Sequence, residues 1–226
     1  SLIHDTSQVL EEAALQGKRI LFEAQLGTLR DLNFGIYPYT TSSCTLAAYA
    51  PVGGGLFGFP VDRVVAVVKA FATCVGEGPF VTLMDKANAD TLRETAKEYG
   101  AATGRPRTIG HFDAVATRWG VRAQGATEVA LTKLDSLTGR PSLKICTHYR
   151  WRGQLLDRFP LNAVLEEAEP VYEEMPGWSE DISGVRQFRD LPGPARAYVE
   201  AIESLIGCPI RYISVGPERS ALIIRG

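Results

Sequence analysis

The sequence predicts an α/β fold: a largely parallel central sheet flanked by helices, with long loops that carry the function. Two observations support this. Short apolar runs of strand character alternate with stretches of helical period, the pattern expected where crossover helices join parallel strands. Residues 24–58 form a long stretch rich in Gly, Pro, Tyr, Thr and Ser with little periodicity, as functional loops do.

The elements follow in order. Val9, Leu10, Ala13 and Ala14 recur at helical spacing, and Gly17 stops that helix. Arg19 to Glu23 reads as a short buried strand. Val61 to Thr73 reads as an apolar helix ended by Gly76, Gly78 and Pro79. Asp90 can cap a helix that runs through Tyr99, with Gly100 as its C-terminal stop. A polar loop spans 101–110, and Phe112, Val115, Ala116 and Trp119 then give another helical face. Glu128 to Thr132 and Leu143 to Tyr149 read as strands. Pro194 suits the first turn of a helix carrying Tyr198, Ile202 and Leu205, closed by Gly207. Ile210 to Val215 and Ala221 to Ile224 are the last strands. Ligands of such sheets sit beyond the carboxyl ends of strands, so the loops after Glu23, Leu131 and Ser214 are the places to look.

The chain has 226 residues, 45% hydrophobic and 22% charged, enough to bury the core of one domain over 1–226. A formal net charge of −2 gives no basic field for nucleic acid or an acidic membrane surface. No apolar run approaches the ~20 residues that cross a bilayer, and no basic-plus-apolar signal segment opens the chain. The expected setting is the cytoplasm. Cys44, Cys74, Cys146 and Cys208 are scattered, with no CxxC pair and no His at metal spacing, so they read as free thiols. His4, His111 and His148 have no partner at catalytic or metal spacing. The chain opens at Ser1, almost directly into a helical pattern, which suggests a fragment, a processed chain or a trimmed form.

Three stretches could carry chemistry. Lys133-Leu134-Asp135 ends a strand with a Lys-x-Asp. A carboxylate there can accept hydrogen bonds from N1 and N2 of guanine while the lysine stem lies along the base plane. Adenine, with an acceptor at N1 and no exocyclic N2 amine, would leave that carboxylate unpaired. Ala101 to Arg107 places Arg105 and Arg107 on either side of Pro106, after Gly104. Alternation can point both guanidinium groups one way, each able to grip a carboxylate or phosphate with two parallel hydrogen bonds. Tyr37 to Ser43 gathers hydroxyls near Gly53, Gly54 and Gly55, groups that suit a phosphate. No GxxxxGK[ST] phosphate loop occurs in the chain.

Taken in order and spacing, these phrases resemble adenylosuccinate synthetases over nearly the whole chain. The resemblance rests on Leu21-Phe22-Glu23, Gly27-Thr28-Leu29, Tyr37-Pro38, Thr41-Ser42-Ser43, Val75-Gly76-Glu77-Gly78-Pro79-Phe80 and Glu98-Tyr99-Gly100. It continues through Thr103-Gly104-Arg105-Pro106-Arg107, Thr132-Lys133-Leu134-Asp135, Leu143-Lys144-Ile145-Cys146, the stretch from Tyr172 to Trp178, and the stretch from Ser214 to Arg219. It implies an incomplete fold of the phosphate-loop NTPase type. The implied reaction is a GTP-dependent ligation of L-aspartate to IMP, giving adenylosuccinate, GDP and phosphate. Magnesium would bridge the phosphates, with no ligands from this chain, and the enzyme would be a homodimer.

By the same resemblance, Thr41, Val75 and Arg105 would bind IMP. Ala101, Thr103, Gly104, Arg105 and Arg107 would bind aspartate. Arg107, Lys133, Leu134, Asp135, Ser214, Val215 and Gly216 would bind GTP. The Pro-Gly-Trp stretch at 176–178 reads as structural. The family's base aspartate and acid histidine have no match in this chain, so the isolated chain is expected to be inactive or nearly so. Leu26 stands where the family has a glutamine that contacts the purine, and Ala102 replaces a usual threonine. Two other readings therefore stay open: a sister ligase for another purine monophosphate such as dGMP, and a non-catalytic guanine-nucleotide-binding module.

Overall fold

The computed structural model describes residues 3–101 and 104–226. Helix α1 (Thr6–Leu15) is capped by Asp5, whose carboxylate accepts from the Ser7 amide at 3.0 Å. No strand forms at 19–23, contrary to expectation. Leu21 is 93% exposed, so an apolar run alone did not make a buried strand here. The long loop follows as expected, broken only by single turns of 3-10 helix and a short α2 (Ala50–Gly54).

The expected helix over 61–73 is instead two strands, β1 (Val65–Lys69) and β2 (Ala72–Cys74). The run Val-Ala-Val-Val is mostly β-branched and fits either period. What decides is a partner about 60 residues away, for β1 pairs in parallel with β5 (Glu128–Thr132), from Val65 opposite Glu128 to Lys69 opposite Thr132.

Helix α3 (Lys86–Ala96) begins earlier than expected, because Asp85 rather than Asp90 is its cap. It ends at Lys97, which takes the left-handed conformation at φ 54°, before Gly100 is reached. Part of the expected loop 101–110 is β3 (Thr108–Gly110), antiparallel to β2 with Cys74 opposite Thr108. Phe112 lies in β4 (Phe112–Asp113), and Asp113 caps α4 (Ala114–Gln124) by accepting from the Ala116 amide at 2.9 Å.

The remaining elements are β6 (Ser142–Trp151), β7 (Gln154–Leu156), α5 (Asn162–Leu165), β8 (Glu169–Pro176), α6 (Gly193–Ile206), β9 (Ile210–Ser214) and β10 (Leu222–Ile224). The expected helix at Pro194 forms with proline in its first turn, and Gly207 ends it in the left-handed conformation at φ 66°.

The central sheet has the order β1-β5-β9-β10, with β1, β5 and β9 parallel and β10 antiparallel. A second sheet, built on β6 with β4, β7 and β8, is mostly antiparallel. The main core gathers Val129, Leu131, Ile213 and Ile223 of the central sheet with Tyr198, Val199 and Ile202 of α6. Alternation sends Val65 and Val67 to the other face, where Val67 is 73% exposed. Trp178 is buried and donates to the Thr138 hydroxyl at 3.1 Å, and a side chain at Gly177 would overlap the Arg140 carbonyl, so 176–178 is structural as expected. All four cysteines are free, Cys146 and Cys208 buried and the other two half-buried.

Candidate functional site

The parallel strands end at Lys69, Thr132 and Ser214, and two of the sequence-predicted segments, Lys133–Asp135 and Ser214–Gly216, lie at or just beyond those ends. Beyond β5 the chain turns at Lys133, which adopts φ 65°. That conformation is costly for a residue with a Cβ, about 1–2 kcal/mol, and it sends the ammonium to the Ala96 carbonyl at the end of α3, a 2.8 Å bond. Leu134 is fully buried, and its amide donates to the Ser214 carbonyl at 3.4 Å. Asp135 follows, half-buried at the start of a 3-10 turn. Burial raises its carboxyl pKa, and Lys133 opposes that shift.

Beyond β9, the Ser214 hydroxyl donates to the Gly216 carbonyl at 2.8 Å, and the Val215 amide donates to the Ala221 carbonyl at 3.0 Å. Val215 is buried, so of its groups only the backbone is placed to meet a ligand. The structure therefore brings the Lys133–Asp135 turn and the Ser214–Gly216 turn together, as the sequence reading requires.

The arginine loop lies against the end of α3. Ala101 is exposed, Thr103 lies outside the described residues together with Ala102, and Gly104 is left-handed at φ 65°. The Gly104 amide donates to the Gly100 carbonyl, and the Gly100 amide donates to the Arg105 carbonyl, each at 2.8 Å. Arg105 is exposed; Arg107 is half-buried. The Arg107 backbone is held at both ends: its amide donates to the Glu98 carbonyl at 3.0 Å, and its carbonyl accepts from Arg93 Nε at 2.9 Å.

Glu98 and Lys69 are the residues sequence reasoning missed here. The Glu98 side chain is 3% exposed, and its Oε2 accepts from Lys69 Nζ at 2.6 Å with the Arg107 guanidinium 3.4 Å away. Burial lowers the Lys69 pKa against the pull of Glu98, and the nearby charges of Arg107 and Lys133 lower it further; two cations, Lys69 and Arg107, face the one buried carboxylate. Lys69 was hidden because β1 read as a helix. A lysine closing a parallel strand would have been a signal.

Thr41 and Val75 are joined through Arg30, a second residue that was missed. The Thr41 amide donates to the Arg30 carbonyl at 2.7 Å, and the Arg30 guanidinium donates to the Tyr39 and Glu77 carbonyls at 2.6 and 2.9 Å and to the Cys74 thiol. Val75 directly follows Cys74, which the ladder sets opposite Thr108, the neighbour of Arg107. The same loop turns on Asp31, fully buried, which accepts from the amides of Asn33, Phe34 and Thr45. Burial alone would raise its pKa, but the Thr45, Phe34 and Asn33 amides hold it below the ordinary carboxylate range. An Asp two and three residues before the amides it accepts from is an Asx turn, legible in sequence.

The residues thus form two neighbourhoods, Thr41 with Val75 and Lys133–Asp135 with Ser214–Gly216; the arginine loop is tied to the first through Thr108, opposite Cys74, and follows the end of α3, where Lys133 bonds the Ala96 carbonyl. A separate cavity of about 320 Å³, lined by Glu128, Glu203, Arg211 and Arg225 among others, lies at the opposite ends of β5 and β9 and includes no predicted site residue. Among the described residues no group of three or more His, Cys, Asp and Glu is placed to hold a metal ion.

The family profile described as adenylosuccinate synthetase matches residues 1–223. The chain belongs to the adenylosuccinate synthetase family. Its relatives include an adenylosuccinate synthetase of Caldanaerobacter subterraneus subsp. tengcongensis, 50% identical over 225 residues, covering 98% of this chain and 52% of the relative. Adenylosuccinate synthetase 2 of Pseudoalteromonas translucida is 52% identical over 225 residues, covering 100% and 53%. The fold matches a fully ligated adenylosuccinate synthetase from Plasmodium falciparum with a TM-score of 0.95 at 36% identity, over 99% of this chain and 54% of that one. A cyanophage S-2L succinoaminodeoxyadenylate synthetase bound to dGMP and dATP shares the fold alone, with a TM-score of 0.55 at 16% identity, over 98% and 50%. The chain spans about half the length of the curated relatives it matches. No helix among the described residues is long and apolar enough to cross a membrane.

Proposed function

We propose that the protein carrying this chain ligates L-aspartate to IMP at the expense of GTP, giving adenylosuccinate, GDP and phosphate. Family membership supports the reaction. The observation that carries the site is the joining of Lys133-Leu134-Asp135 to Ser214 through the Leu134 amide. In this reading Asp135 accepts from N1 and N2 of guanine, with the turn of Ser214, Val215 and Gly216 closing over the base. Arg105 contacts IMP and the carboxylates of aspartate, and Arg107 reaches aspartate and the nucleotide phosphates. Ala101, Thr103 and Gly104 shape the aspartate loop. Thr41 meets the IMP phosphate, and Val75 packs against its ribose. The base and acid that activate the 6-oxygen are not assigned to residues of this chain.

The family implies Mg²⁺ on the phosphates. The described residues do not offer a ligand cluster for it, so no step is assigned to the ion here. The same reading makes the protein a cytoplasmic homodimer.

The test is formation of succinylated nucleotide by the protein at its natural length, given IMP, aspartate and GTP. Turnover with aspartate-dependent release of GDP is expected. Guanine-nucleotide binding without any product would instead support a binding-only module. A second reading has one observation in its favour. Leu26, at the family glutamine's position, is 57% exposed, and its hydrocarbon side chain has no hydrogen-bonding group to offer a purine. A sister ligase acting on another purine monophosphate is then the alternative, and it would prefer dGMP to IMP as acceptor.

A further inference from the structure

We propose that Lys69 is a positioning residue that keeps the Arg107 guanidinium available to a ligand by taking up the charge of Glu98. The inference rests on the reading of Arg107 as a ligand-binding arginine and deepens it.

Glu98 is a carboxylate with almost no access to water, and such a charge must be paired within the protein. Two cations compete for one oxygen. Lys69 Nζ holds Oε2 at 2.6 Å, whereas Arg107 Nη1 stands at 3.4 Å, beyond the 2.7–2.9 Å typical of a charge-assisted bond. The competition is settled by anchoring. Lys69 closes β1, fixed by its ladder to β5, and its ammonium also donates to the Thr73 hydroxyl at 2.8 Å on β2. The Arg107 side chain keeps 30% of its surface exposed, and besides Glu98 its guanidinium meets the Tyr99 carbonyl through a long 3.3 Å bond from Nε, while its backbone is pinned at both ends. The guanidinium can therefore move, at the cost of that one weak bond, without the loop moving. Without Lys69, the buried charge of Glu98 would fall on Arg107 alone, and a guanidinium matches a carboxylate with two parallel bonds. Arg107 would then be drawn onto Glu98 and away from any incoming carboxylate or phosphate.

This predicts a suppressor relation that a purely structural role would not produce. Steady-state kinetics on the protein at its natural length would compare Lys69→Met, Lys69→Arg, Glu98→Gln, the double variant Lys69→Met with Glu98→Gln, and Arg107→Leu. Lys69→Met is expected to raise KM for aspartate about tenfold, the scale of one charge-assisted contact, with KM for the acceptor nucleotide within about twofold. Lys69→Arg, which restores a cation, should recover most of that loss. Glu98→Gln alone removes the competing charge and should lower KM for aspartate about two- to threefold. The double variant should return toward wild type.

An unchanged KM in Lys69→Met, a tenfold rise in Glu98→Gln, or a double variant no better than Lys69→Met would each overturn the proposal. If Lys69→Met does not fold, Glu98→Gln still decides it by the sign of its effect. Arg107→Leu separates this inference from its parent. If that variant binds aspartate normally, Arg107 has no such ligand and the proposal falls with that assignment. Product formation by the wild type tests the ligase reading independently.

Discussion

Asp31 and Glu98 are both buried carboxylates at the heart of loops that flank the candidate site, yet the two loops use them differently. Asp31 is surrounded by backbone amides of its own loop, from Asn33, Phe34 and Thr45, so its partners are fixed when the loop folds. Glu98 is surrounded by side-chain cations from separate elements, Lys69 on β1 and Arg107 beyond α3, so its charge can be redistributed. The first arrangement makes a rigid frame for Thr41 and Arg30. The second makes a setting in which one arginine stays responsive. Where a loop must only hold a shape, amides suffice. Where it must present charge, the counter-ion has to be occupied by something else.

The largest expected effect tests the frame. Asp31→Ala leaves the amide of buried Thr45, and those of exposed Asn33 and Phe34, without their acceptor, and unfolding by denaturant should show a loss of about 2–3 kcal/mol. A loss under about 1 kcal/mol would mean the loop is held by other contacts. The pH dependence of Asp31 has a definite sign. Its folded pKa lies below the unfolded value, so its contribution is present above the unfolded pKa and is lost as pH falls through the folded one. Asp31→Asn should therefore flatten the acid limb of the stability profile.

Asp113 sharpens the contrast by running the other way. Burial pushes its pKa up to about 6, although it caps α4 and accepts from the Tyr149 hydroxyl at 2.6 Å. An acid with a raised folded pKa holds its proton more tightly when folded, so stability falls as pH rises from about 4 to about 6. Relative to Asp113→Asn, which still caps, the wild type should lose about 2–3 kcal/mol over that window, read from unfolding midpoints. A difference independent of pH would contradict the buried-carboxylate reading. A smaller effect concerns the arginine that spans the frame. Arg30→Met removes its bonds to the Tyr39 and Glu77 carbonyls and should raise KM for the acceptor nucleotide about fivefold while leaving that for GTP within twofold.

Much of the fold was legible where local chemistry settles it. Pro194 and Gly207 mark both ends of α6, and Glu128–Thr132 appears as read. The failures share a physical cause. Val65–Lys69 is a strand because β5 offers a ladder, a partner that local periodicity cannot reveal. Leu21 lies in an apolar run, yet nothing in the described chain covers it. The α3 boundary moved because Asp85 and Lys97, not Asp90 and Gly100, adopt the capping conformations.

The site divides the same way. Lys133, Asp135, Arg105 and Arg107 stood out as charged residues in turns, and the resemblance gave them roles. Lys69 and Glu98 lie 29 residues apart and meet only through the fold, so neither could be read as a pair.

The central claim is that Asp135 reads a guanine edge at the end of β5. Isothermal titration of GDP against Asp135→Asn and the wild type, at natural length, tests it most directly. The account predicts a loss of about 1.5–3 kcal/mol in GDP binding, more than tenfold in Kd, from removal of a charge-assisted pair. Equal GDP affinity in the two proteins would place the base elsewhere and contradict it.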